Sequence, residues 1–193
     1  FVLDNDIDMA SVSNFTPISA TEANAFGGTF DGQGYQIKNL KISNTSVDRL
    51  GLFGSVTGGI IKNLGVSSAT VAGRQQTGIL VGQANNMTVK NCWSSGSVSG
   101  NGSFIGGLVG NMNSSTVTGS YSTATVSGSA MGKGGLIGQV GFNGNVSNCY
   151  AVSSVTGGSL NGILIGAGSG GVVDNCYAVG SGTLFGGQPY WST

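Results

Sequence analysis

The sequence predicts an all-β chain wound into a parallel β-helix, a solenoid whose coils take about 28 residues each. Three observations predict it. GLFG starts at Gly51, ILVG at Ile79, GLVG at Gly107, GLIG at Gly135 and ILIG at Ile163, and every step is 28 residues. A second phrase recurs within each period: IKNLGV from Ile61, VKNCWS from Val89, VTGSYS from Val117, VSNCYA from Val146 and VDNCYA from Val173, with IKNLKI from Ile37 as an earlier copy. Composition is the third: 37 glycines against 2 prolines, with 39% apolar residues in short Val, Ile and Leu clusters and no segment of helical period. A unit this small cannot bury its own apolar face, so neighbouring units must stack and continue it.

In chain order, residues 1–36 are read as an N-terminal capping segment, 37–187 as the solenoid repeats and 188–193 as the C-terminal end of a piece of a longer polypeptide. The chain opens FVLDNDIDMA, without an initiator Met or a basic-then-apolar leader. Asp4-x-Asp6-x-Asp8 begins like a calcium loop, but Met9 stands at the turn glycine and Phe15 at the bidentate Glu. A strand with Leu3 and Ile7 facing the core and solvated acids is the preferred reading, and calcium at Asp4, Asp6 and Asp8 stays open. FDGQG (Phe30 to Gly34) lacks the Lys-Ser/Thr of a phosphate loop and reads as a turn into the first regular coil.

Within the repeats, SSATVAG, SGSVSG, STATVSG and VSSVTGG separate the phrases, so each period holds about three short strands with a turn after each. Stacking at about 4.8 Å turns alignment columns into spatial rows. Leu52, Leu80, Leu108, Leu136 and Leu164 form one row, and Gly54, Gly82, Gly110, Gly138 and Gly166 another. Asn39, Asn63, Asn91, Asn148 and Asn175 are read as an inward corner column of mutually bonded amides, interrupted by Gly119. Leu40, Leu64, Cys92, Ser120, Cys149 and Cys176 follow as a tight interior corner. Cys149 and Cys176 fall on adjacent coils within disulfide reach. Buried free thiols are favoured over a bridge, because an in-register ladder rarely offers the required dihedral.

Two rows are candidates for binding, and they are read as opposite faces. Trp93, Tyr121, Tyr150 and Tyr177 form an aromatic column that either stiffens the stack or grips sugar rings. Ser68-x-Thr70, Ser95-x-Ser97 and Thr123-x-Thr125, flanked by Val71, Val98 and Val126, form outward hydroxyl rows similar to the flat faces of ice-binding β-helices. Six of seven acids precede residue 49 and the chain has no histidine, so no carboxylate pair or histidine base can be assembled on the coils. Without histidine or a Cys-x-x-Cys pair, no metal site or cofactor is expected. Lys plus Arg (7) balances Asp plus Glu (7), so no field draws the chain to nucleic acid or an anionic membrane. No apolar run approaches the roughly 18 residues of a membrane helix.

FGGTFDGQGYQIKNLKI (Phe26 to Ile42), LGLFGSVTGGIIKNLGV (Leu50 to Val66) and the GLVG/GLIG coils resemble the GLUG-motif repeats of bacterial surface and secreted proteins. Such repeats occur in adhesin-like proteins and in non-catalytic N-terminal regions of some IgA-cleaving metallopeptidases. Nearly the whole chain is covered; Ile79 and Ile163 depart from the motif's first Gly without disturbing its phase. The resemblance implies a surface-exposed or extracellular bacterial β-helix module and carries over no site residues. The expectation is a non-enzymatic adhesive or scaffolding module whose partner is a host or cell-surface glycan or protein. A carbohydrate-active β-helix enzyme and an ice-binding solenoid are the alternatives.

Overall fold

The structure is a computed structural model that describes residues 1–187, 191 and 192. Of the expected C-terminal end, 188–190 and 193 lie outside the described residues. The chain is a parallel β-solenoid built from three sheets, one on each side of a common core. Around the helical stack, each coil visits the three in turn. The first sheet runs from Thr29–Asp31 through Ile60–Lys62, Thr88–Lys90, Thr116–Thr118, Gly144–Ser147 and Gly171–Asp174 to Trp191–Ser192. The second runs from Ile7–Asp8 through Gln36–Lys38, Gly65–Gly73, Trp93–Gly100 and Tyr121–Ser122 to Tyr150–Val152 and Tyr177–Val179. The third carries the LVG and LIG motifs, in Phe53–Thr57, Val81–Asn85, Val109–Asn113, Ile137–Val140 and Ser159–Gly168. Among the described residues the helical content is one short 3-10 turn, Glu22–Asn24.

Period-two alternation decides what is inside. In the first sheet Ile61, Val89, Val117, Val146 and Val173 are buried, while their neighbours stay half-buried or exposed. Leu52, Leu80, Leu108, Leu136 and Leu164 form the expected interior row, none more than 1% exposed. Residues 1–36 add to the same sheets: Val2 bridges Asp31, Ile7 pairs with Ile37 and Ile18 bridges Phe53.

Three expectations are corrected. The asparagine column does lie at a corner, with left-handed backbone at Asn63, Asn91, Gly119, Asn148 and Asn175. Asn91 donates to Asn63 at 3.2 Å, Asn175 to Asn148 at 2.5 Å, and Asn63 to the Asp31 carboxylate at 3.0 Å. But the amides lie on the convex side, where Asn91, Asn148 and Asn175 are exposed; the following residue turns into the core instead. Asn39 does not belong to this column. Ile37 pairs with Val66, the Asn39 N–H donates to Ser67, and the Asn39 amide bonds Asp8, which sets Asn39 and Leu40 one corner later. Ile7, in the outermost strand of its sheet, is 40% exposed; Leu3 and Met9 are the buried residues of the opening segment.

Candidate functional site

The residue after each interior corner position starts the second sheet, so the ladder that pairs Trp93 with Tyr121, Tyr121 with Tyr150 and Tyr150 with Tyr177 also stacks their rings. Ring centroids are 5.9, 4.6 and 5.1 Å apart with planes within 7° of parallel. The Trp93 indole lies over Gly65, where a Cβ would stand 2.4 Å from the ring. A side chain on residue 65 would displace it. The ring faces are therefore turned towards one another, and solvent meets a ridge of ring edges; Tyr177, at the end of the row, is 56% exposed. Burial and the neighbouring Tyr121 and Tyr177 rings push the Tyr150 hydroxyl above its ordinary pKa.

The hydroxyl rows lie on this same face rather than the opposite one. Strict alternation in the coil of Tyr121 buries Ser122, Ala124 and Val126 and exposes Thr123, Thr125 and Ser127. Ser97 pairs with both Thr70 and Thr125, and the Val126–Val155 pairing brings Ser154 beside Thr125. The ridge thus borders a flat hydroxyl floor. Thr125 bonds the Gly96 carbonyl and Ser95 accepts from the Ser68 N–H, whereas the hydroxyls of Thr70, Ser97, Thr123 and Ser154 have no hydrogen-bond partner among the described residues. Val152 and Val179, exposed on the same face, replace hydroxyls in the last two coils. From residue 91 to 132 the sequence has no Asp, Glu, Lys or Arg, and from 134 to 173 again none. The face is uncharged along its middle coils.

The acids are held elsewhere. Asp6 pairs with Lys38 at 2.8 Å, Lys38 and the Gln36 N–H lowering its pKa; the Asn39 amide and the Ala10 N–H lower that of Asp8. Asp31, at the turn of FDGQG, accepts from the Gln33 N–H and Asn63 and pairs with Lys62, which brings its carboxyl down to about 2. Asp48 holds Arg74 and Glu22 holds Arg49. Among the described residues no group of three His, Cys, Asp or Glu side chains is placed to hold a metal ion.

The three cysteines are free thiols. Burial pushes Cys92 up to about 12. The Cys149 thiol, hydrogen-bonded with Cys176 and buried, is raised; that hydrogen bond lowers half-buried Cys176. Sequence reasoning passed over Lys133, which is 1% exposed and points its amine at the carbonyls of Ala130 and Ser159. Burial lowers its pKa. The available signal was its isolation: no other basic residue follows Lys90.

No family model matches the chain. Over 89 residues, 46% of its length, it is 40% identical to halomucin of Haloquadratum walsbyi, of which that match covers 1%. The crystal structure of a candidate immunoglobulin A1 protease from Bacteroides ovatus superposes with a TM-score of 0.75 at 26% identity, over 92% of this chain and 60% of that one. The chain therefore spans a small fraction of the first protein and less than two thirds of the second.

Proposed function

We propose that this chain is a non-enzymatic, GLUG-type β-solenoid module of an extracellular or cell-surface protein, a stiff spacer that also presents an adhesive face. The observation that carries the reading is the second-sheet face, uncharged along its middle coils, on which one aromatic ridge and one hydroxyl floor repeat coil after coil in register. A periodic surface of this kind suits a repetitive partner, a glycan or protein on a host or cell surface, better than a single small substrate. The likenesses to halomucin and to the Bacteroides protein support the location. A carbohydrate-active enzyme would need paired carboxylates on consecutive coils. Asp6, Glu22, Asp31 and Asp48 instead hold lysine or arginine at the N-terminal end of the stack.

Glycan-array and cell-surface binding test the proposal. Replacing Trp93, Tyr121 and Tyr150 together by Ala should abolish binding, since large aromatics supply most hot-spot energy. A matched triple change at Thr88, Thr116 and Asn145, which pair on the outer side of the first sheet, should leave it intact. A folded wild type that binds nothing, or two variants that bind like wild type, would reduce the module to a spacer.

A further inference from the structure

We infer that the occupant of this face is an extended, uncharged β-1,4-linked polysaccharide lying along the solenoid axis with one sugar ring per coil. The inference rests on the adhesive reading above and gives it a ligand class.

Spacing is the first argument. Trp93, Tyr121, Tyr150 and Tyr177 recur once per coil, as do Thr70, Ser97, Thr125 and Ser154, so chemically equivalent groups advance by one inter-strand spacing. A fully extended β-1,4-linked chain advances by close to that distance per ring. Because successive rings of such a chain are turned over, every second ring meets the same surroundings, two coils on. An α-1,4-linked glucan coils and would leave a straight row after one or two rings.

Chemistry is the second. The floor offers the free hydroxyls of Thr70, Ser97, Thr123 and Ser154, each able to donate and to accept, as the rim hydroxyls of a sugar require. Lys41, paired with Thr70, is a cation at the N-terminal end of the row, but the coils from residue 91 to 132 carry no Asp, Glu, Lys or Arg. An anionic polymer would find no counter-charge on those coils, whereas a neutral one loses nothing there.

Ring geometry sets the pose. Because the aromatic planes are within 7° of parallel and lie against one another, no sugar can stack between them. The polymer lies beside the ridge instead, with rim hydroxyls over the floor and one C–H face against the ring edges. Val152 and Val179 extend the apolar contact at the C-terminal coils.

Adsorption to insoluble chitin and cellulose, compared with insoluble amylose, tests the inference. Retention on a β-1,4-linked polymer and not on amylose is expected, and affinity for soluble β-1,4-linked oligomers should rise at least about tenfold from two sugars to five. The double variant Thr123→Lys, Thr125→Lys should lose at least about tenfold in retention with an unchanged circular dichroism spectrum, while Thr116→Lys on the first sheet binds like wild type. Equal retention on amylose, no rise with oligomer length, or wild-type retention by the double variant would overturn the inference. Binding confined to another glycan or a protein, lost in the Trp93/Tyr121/Tyr150 variant, would overturn it and leave the adhesive reading standing. Absence of all binding would overturn both. Thermal hysteresis without polymer binding would assign the face to ice and overturn the inference too.

Discussion

Ser94 reaches across the interior of its coil and donates its hydroxyl to the carbonyl of Gly107 at 2.9 Å, both residues being buried. One coil later the partners change: the Gly135 carbonyl accepts from the Ser153 hydroxyl at 3.4 Å, and Ser122, in the ladder position of Ser94, accepts from the Ala124 N–H at 3.2 Å. In both coils a buried serine hydroxyl meets the carbonyl of the motif's first Gly.

Gly107 accordingly leaves no room for a side chain. A Cβ there would stand 2.0 Å from the Gly135 carbonyl oxygen and 2.2 Å from the Ser122 hydroxyl. Gly107→Ala should destabilise the fold by about 3 kcal/mol, as overpacking does when backbone is the obstacle. Gly58, with φ of +72° and nothing within 4 Å of its Cβ, supplies the comparison: Gly58→Ala should cost about 1 kcal/mol from backbone strain alone. Urea denaturation of the two variants measures the difference.

The gap in the asparagine ladder can be filled. Gly119 has the left-handed backbone of its column, φ of +58°, and the tight contact of a Cβ there would be with the flexible end of the Asn91 side chain, at 2.6 Å, the Asn91 backbone N lying at an ordinary 3.8 Å. Gly119→Asn should therefore be neutral or stabilise by about 0.5 kcal/mol, through a less flexible unfolded chain and a restored amide bond. Because the ladder is exposed, Asn91→Ala should cost only about 1 kcal/mol. Thermal melts of both variants decide this.

Asp31 sets an acid limit. Its folded pKa is depressed, from 3.8 to about 2, so its stabilising contribution is fully present above 3.8 and is lost as pH falls through about 2. Asp31→Asn keeps an oxygen for the Gln33 N–H but loses the charge facing Lys62. The variant should show a shallower fall in stability across that window than wild type. Some slope should persist, since Asp6 and Asp8 are also depressed.

Much of the fold was legible because the columns are chemically conspicuous: five Leu and five Gly residues at one spacing leave few other packings. Asn39 misled because its phrase repeats IKNL while lying 24 residues before Asn63, a spacing that the ladder does not keep. Local resemblance carried no information about register there. Ile7 misled because alternation predicts a side, not whether a further strand covers it. The left-handed column at Arg49, Gln76, Phe104 and Leu160 was invisible, since those residue types give no sign of positive φ. At the site, the aromatic column could be read from sequence. The turning of its ring faces towards one another, and its adjacency to the hydroxyl floor, could not, because both follow from how the second sheet is paired.

Equivalent side chains stack one coil apart throughout the solenoid, and nuclear Overhauser contacts between methyl groups measure that directly. Leu108 should show contacts to both Leu80 and Leu136, while Leu80 and Leu136, two coils or about 9.6 Å apart, should show none. Asn39 should contact Ser67 and not Asn63. Absence of the Leu80–Leu108 contact, or contacts that place these strands antiparallel, would contradict the solenoid and every surface built on it.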